Sequence, residues 1–173
     1  MNKLLSSEYI YKGKILNLRK DKININSKVA IREVVEHHGG AAIALKKANG
    51  KYLLVKQFRY GQQMDMIEFV AGKLELGENP LEAIIREASE ESGFTVKNIK
   101  PLGFIAPTPA YDEEKTYLYY GECDEYVGQN LDEDEDIALL ECSLDELETM
   151  IKNFEIQDAK TLAICYYLRL LNL

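Results

Sequence analysis

The chain has 173 residues, 46% of them hydrophobic and 29% charged, with 21 basic against 29 acidic side chains and a formal net charge of -8. That composition suits a folded chain with a real core and excludes a disordered one. The acidic balance also argues against a protein that grips nucleic acid by neutralising phosphates, which takes a clustered basic surface. A small phosphate-bearing ligand would need local arginines or a metal.

The amino-terminal stretch "MNKLLSSEYIYKGK" has no apolar segment of signal-peptide length, and the longest apolar run, "LAICYYL", falls far short of a membrane span. A cytoplasmic protein without a membrane partner is the expectation. Residues 9–35 read as short extended segments mixing β-branched and aromatic residues with charges, strands that need something else to cover them. "AAIALKKANGKYLLVKQFRY" gives a buried strand, an Asn49-Gly50 turn suited to a two-residue hairpin, and a second strand. "MDMIEFVAG" is a third extended run. At "ENPLEA" Asn79 can cap a helix, Pro80 suits its first position, and Glu82 stands where a capping box wants an acid; Gly93 marks the stop. Strands follow at "KPLGFIAP" and "KTYLYYGEC", then an acidic loop, "GQNLDEDED", and a strand, "IALLEC". Ser143 and Glu146 form another capping-box pattern, and Asp158 can cap the final helix. This order predicts an α/β fold, a sandwich around a mixed sheet.

Cys123, Cys142 and Cys165 are odd in number and widely spaced, so free, buried thiols in a reducing compartment are expected. His37 and His38 point to opposite faces of a strand and make a poor joint metal site.

The segment "REASEESG" crowds three glutamates onto one helix. At about 100° per residue, Leu81, Ile84, Ile85 and Ala88 form one stripe, and Glu87, Glu90 and Glu91 are expected to project from the other side. Glu87 and Glu91 are four apart, a spacing at which like charges destabilise a helix by roughly 0.2–0.5 kcal/mol. A divalent cation between them removes the penalty, and hard cations such as Mg²⁺ take carboxylate and phosphate oxygens.

Reading outward, Gly72–Phe94 matches G-x5-E-x7-R-E-U-x-E-E-x-G-U, with U apolar, at every specified position. A chance match has a probability on the order of one in a billion per starting point. The pattern is the Nudix box, and the chain is similar to the Nudix hydrolases. "IREVVEHHGGAAIAL", "LLVKQFRYG", "IEFVAGKLE", "TPAYDEEKTYLYY", "DEDEDI" and "IQDAKTLAICYYL" resemble, in order, segments of the ADP-ribose pyrophosphatase branch.

The resemblance implies a Nudix-type α/β/α sandwich with an N-terminal antiparallel strand region, and cleavage of a diphosphate linked to another moiety, dependent on Mg²⁺ or Mn²⁺. It implies Glu87, Glu91 and Glu135 as metal ligands with the Ala71 carbonyl as an additional one, and Glu90 as a further ligand or a hydrogen-bond partner of water on the metal. Glu133 would be the general base. Glu78 and Arg86 would form a bracing pair, and Gly72 would permit a tight backbone. Arg59 would contact the diphosphate, suited to it by a planar fork. Arg32, Glu33 and His37 would lie along the substrate, Glu68 near the nucleoside and Glu114 near the reacting phosphates. Val70 and Ala110 depart from the family's usual proline and glycine, which leaves the preferred nucleotide sugar open.

The expected reaction is hydrolysis of ADP-ribose to AMP and ribose 5-phosphate. The alternatives are the same reaction on another nucleoside diphosphate sugar such as GDP-mannose, or a non-catalytic ADP-ribose sensor. Residues 1–40 are expected to exchange or pair with a second copy in a homodimer, as the resemblance also implies, leaving 41–173 as the hydrolase domain.

Overall fold

The apolar run at Gly40–Lys46 organises the larger part of the chain. In the computed structural model, which describes residues 3–133 and 135–173, Ala41 to Leu45 are entirely buried. A strand covered on both faces reads as a continuous apolar run rather than an alternating one.

Three strands precede it: β1 (Lys3–Lys12), β2 (Leu16–Ile25) and β3 (Lys28–His37), antiparallel in the order β1-β2-β3. The remaining elements are β4 (Gly40–Lys46), β5 (Tyr52–Arg59), β6 (Met64–Glu68), β7 (Val70–Lys73), α1 (Pro80–Ser92), β8 (Phe94–Ile105), β9 (Thr116–Tyr126), β10 (Ile137–Cys142), α2 (Leu144–Lys152) and α3 (Ala159–Leu171). The chain divides into two compact units, residues 1–39 with 106–115, and residues 40–105 with 116–173.

In the second unit the sheet runs β10-β5-β4-β9-β8, with β6 on β5 and β7 on β4. The β4–β9 pairing is parallel and the others are antiparallel, so the sheet is mixed. Alternation along β4 separates two cores. Ala41, Ile43 and Leu45 pack with Ala83, Ile84 and Ala88 of α1, and Ala42 and Ala44 pack with Leu147 of α2 and Ile164 and Leu168 of α3. Each large aliphatic side chain so buried contributes about 1.5–3 kcal/mol. The result is the expected α/β/α sandwich.

The first unit has little core of its own. Leu4, Ile10, Tyr11, Val29 and Ile31 are exposed. A polar hub holds it instead: Arg19 bonds Asp21 (3.1 Å), Glu36 and Glu113, while Ser7 donates to Asp21 at 2.6 Å. Val35 N–H donates to the Tyr111 carbonyl (2.8 Å) and Glu113 N–H to the Val35 carbonyl (3.0 Å), which docks residues 106–115 on β3.

Three local expectations need correction. The β4–β5 turn is a three-residue loop rather than a two-residue one: Gly50 N–H closes on the Lys47 carbonyl, Lys47 N–H on the Lys51 carbonyl, and Gly50 alone takes a positive φ of 82°. A type I turn followed by one left-handed residue explains why only the second half of Asn49-Gly50 needs glycine. At α1, Asn79 caps by accepting from Leu81 N–H (2.9 Å), with Glu82 as a first-turn acid; the reciprocal capping box forms at Ser143 and Glu146 of α2. The third concerns the face of α1. Leu81 and Ile85 are about 40% exposed, whereas Ala83, Ile84, Ala88 and Glu91 are buried. Seven residues on a helix amount to nearly two full turns, so Glu91 sits only about 20° from Ile84 and goes inward with it.

Candidate active site

Strand β7 and helix α1 meet along Gly72 and Glu87. A Cβ on Gly72 would lie 2.0 Å from Glu87 Cδ and 2.1 Å from Glu87 Oε1. The glycine is therefore required for close approach to a carboxylate, and its φ is not left-handed.

Beside it, Ala71 N–H faces Glu91 Oε2 at 3.4 Å. An extended residue sends its N–H and C=O to the same edge of the strand, the edge on which Glu91 meets the Ala71 amide. Glu91 is 3% exposed. Burial, then Glu87, then Glu135 push its carboxyl up to about 8, while the Ala71 amide and Arg59 offset part of the rise. Glu87 is raised too, by burial first and by Glu90 and Glu135, against the pull of Arg86. Three carboxylates thus share one small region with less positive charge than they need.

Arg86 supplies some of it. Its guanidinium reaches Glu90 (2.9 Å), Glu87 (3.0 Å) and Glu78 (3.4 Å). Glu78 also accepts from Glu75 N–H at 2.9 Å, so the expected Glu78–Arg86 brace is present and pins the loop before α1. Glu90 is brought to Arg86 as well as to the acid cluster.

The acidic loop is fastened to the end of α1. Gly93 terminates the helix at φ 74°, its carbonyl takes Val127 N–H and Gly128 N–H, Asn130 N–H bonds the Glu90 carbonyl (3.0 Å), and Gln129 Nε2 bonds the Glu91 carbonyl (2.6 Å). These partners satisfy helix carbonyls that have none within the helix. Beyond them, Glu135 N–H bonds the Asp132 carbonyl at 3.0 Å, which turns Glu135 back toward Glu87 and Glu91. Glu133 is exposed in that turn, and Asp134 lies outside the described residues.

Arg59 at the end of β5 grips Glu68 of β6 with two bonds, Nε to Oε1 at 2.7 Å and Nη2 to Oε2 at 2.6 Å. Burial would raise the Glu68 carboxyl, but Arg59 and Lys160 outweigh it and hold it below the usual range. A cavity of about 520 Å³ opens here, lined by Arg59, Tyr60, Gln62, Met66, Glu68 and Lys160.

Arg32, Glu33, His37 and Glu114 belong to the first unit. Arg32 and Glu33 line a cavity of about 400 Å³ with Leu18, Ile31, Val35 and Tyr111. His37 does not line it; its Nδ1 accepts from Gly39 N–H at 3.1 Å. Glu114 N–H bonds Asp112 Oδ1 at 2.8 Å. Sequence reasoning missed Lys160, Gln129 and Asn130. Nothing in a single polar residue at a helix start or in a loop announces that it will reach back across the fold.

Among the described residues no three His, Cys, Asp or Glu side chains already stand at metal-binding separation. The donor set still fits a hard divalent cation: oxygen only, with Glu87 and Glu91 kept short of compensating charge and Gly72 admitting the Glu87 carboxylate against the backbone. Such a cation would complete its shell with water and substrate phosphate, as Mg²⁺ commonly does.

The NUDIX domain matches residues 36–164. The chain belongs to the NUDIX family. It is a Nudix hydrolase, and Gly72–Phe94 is its box. The chain is 32% identical over 171 residues to an ADP-ribose pyrophosphatase of Bacillus subtilis, covering 97% of this chain and 92% of the relative. It is 33% identical, with the same coverage, to a protein of Bacillus methanolicus named methanol dehydrogenase activator. A GDP-mannose pyrophosphatase of Enterobacter is 32% identical over 98% of this chain and 93% of its own. Among solved structures, an ADP compounds hydrolase superposes with a TM-score of 0.84 at 17% identity, covering 97% of this chain and 92% of that one, which supports the Nudix fold. No helix among the described residues is long and apolar enough to cross a membrane.

Proposed function

We propose that this Nudix hydrolase cleaves the diphosphate of a nucleoside diphosphate sugar, ADP-ribose first, giving AMP and ribose 5-phosphate, with Mg²⁺ or Mn²⁺ as cofactor. The observation that carries it is Glu87 packed against the Gly72 backbone and Glu91 facing the Ala71 amide, with Glu135 and the Arg59 guanidinium near enough to act on Glu91. A bound divalent cation neutralises phosphate oxygens and lowers the pKa of an attached water. Glu87, Glu91, Glu135 and the Ala71 carbonyl would hold it.

The chain's own residues do the rest. Arg59 binds the diphosphate as a fork, kept from swinging by Glu68. Glu133 would take a proton from the attacking water, and Glu90 would orient that water. Arg32, Glu33 and His37 would lie along the substrate, Glu68 near the nucleoside and Glu114 near the reacting phosphates; that Arg32 and Glu33 line a cavity supports the first of these roles. The B. subtilis relative favours ADP-ribose, and the Enterobacter relative keeps GDP-mannose as the second substrate to test. A sensor that only binds ADP-ribose would have no need of every box acid, and all are here.

The exposed apolar side chains of β1–β3 favour residues 1–40 as the dimerisation region, with 41–173 as the hydrolase domain of a homodimer. Three free thiols suit the cytoplasm. The test is product analysis: ADP-ribose incubated with protein and Mg²⁺ in ¹⁸O-labelled water, beside a panel of nucleotide sugars. AMP and ribose 5-phosphate with one labelled phosphate are expected. No cleavage of any nucleotide sugar would refute the proposal.

A further inference from the structure

The segment "DAKT", Asp158–Thr161, reads from the sequence as a helix cap and nothing more. In the structure two of its polar side chains, Lys160 and Thr161, reach Glu68 and Phe69, and Asp158 holds both of them. Thr161 Oγ1 accepts from Phe69 N–H at 2.9 Å and donates to Asp158 Oδ2 at 2.6 Å. Lys160 Nζ bonds Glu68 Oε2 and, at 2.8 Å, Asp158 Oδ1.

Lysine is a flexible point charge and is seldom immobilised. Here its side chain is only 16% exposed and sits between two carboxylates. Glu68 is 1% exposed and has cations on both sides. With Arg59 alone, Glu68 would cancel the guanidinium charge in a one-to-one pair. With Lys160 also present, and paired in turn with Asp158, the four charges of Arg59, Glu68, Lys160 and Asp158 balance, and Glu68 gains a second anchoring partner. The field of Arg59 reaches Glu91, so where the guanidinium is held bears on the box acids.

We propose that Lys160 is a positioning residue: it anchors Glu68 against α3, so that the Glu68 fork aims Arg59 at the substrate diphosphate. This role rests on the reading that the site takes a nucleoside diphosphate. It assigns the start of α3 a part in the reaction that a helix cap does not have, because a cap needs Asp158 and leaves residue 160 free to vary.

A double-mutant cycle tests it. Lys160→Met should lower kcat/KM for ADP-ribose about tenfold, chiefly through KM, and Lys160→Arg should restore most of the loss. In an Arg59→Ala background Lys160→Met should change kcat/KM less than twofold, since residues acting as one unit are not additive. A full tenfold loss in that background overturns the proposal. A second readout needs no turnover: the Arg59 Nε–H signal in ¹⁵N NMR should broaden or exchange faster with solvent in Lys160→Met, and an unchanged signal also overturns it. Should Lys160→Met not fold, Lys160→Gln serves the same comparison. If the wild-type protein cleaves no nucleotide sugar, the substrate reading falls and the NMR comparison alone decides the link between Lys160 and Arg59.

Discussion

Replacing Gly72 with alanine is the sharpest test of the acid cluster. The new methyl would lie 2.0 Å from Glu87 Cδ, while ordinary contact begins at 3.4 Å, so the carboxylate must retreat by the difference, about 1.4 Å. The backbone need not change, because φ at this position is open to alanine. Misplacing a reacting group by about 1 Å costs on the order of 100-fold in rate, or about 2.7 kcal/mol of transition-state stabilisation. Gly72→Ala should therefore lower kcat/KM on ADP-ribose about 100-fold and move the Mg²⁺ activation curve to higher concentration. Overpacking should cost stability as well, by about 1–3 kcal/mol, visible as a lower Tm. Phosphate release through a coupled phosphatase assay gives the rate, and calorimetry gives the metal affinity. A variant with wild-type kcat/KM at limiting Mg²⁺ would show that Glu87 does not work from the position described.

Other outcomes follow from the same geometry. Glu91, held at about 8 against an ordinary 4.5, keeps a proton in the folded protein that the unfolded chain gives up. Its contribution to stability is thus full below about pH 4.5 and lost as pH rises to about 8, so without metal the Tm should fall across that window. Mg²⁺ added at pH 7 should release a proton, and calorimetry in two buffers of different ionisation enthalpy would expose its absence. Glu135→Ala should weaken metal binding, whereas Glu133→Ala should reduce kcat with metal affinity unchanged; the opposite pattern in a Mg²⁺ titration reverses their roles. Arg19→Met strips the cation from Asp21, Glu36 and Glu113 and should cost about 2 kcal/mol, less than a fully buried pair because Glu113 is half exposed. Urea unfolding measures it, and no change would remove Arg19 as the hub of the first unit.

Much of the second unit was legible because its signals are local. Pro80 and Gly93 bound α1 in the sequence and in the structure, and "AAIAL" fits only a strand covered on both faces. The box was legible for a different reason: its spacing ties Gly72, Glu78, Arg86, Glu87, Glu90 and Glu91 into one pattern too long to arise by accident. What periodicity could not give was direction. It identified an apolar stripe on α1, but the sheet meets the helix nearer Ala83, Ile84 and Glu91, so two acids expected outside are turned inward. Burial of an acid looks wrong until the groups it faces are known, and those lie on β7 and in the loop after β9. Lys160 was illegible on the same grounds, since its partner Glu68 is 92 residues away in the chain.

The fastening of Gln129 and Asn130 to the last carbonyls of α1 ties the start of the acidic loop to the helix that carries the box acids. Four residues lie between Asn130 and Glu135, and that length sets how far Glu135 can reach. Lengthening or shortening the tether by even one residue would leave every acid in place on paper and detune the grip on the cation. Redesign for a new sugar has freer ground at the rim near Tyr60 and Gln62, where side chains can be exchanged without touching the clamp.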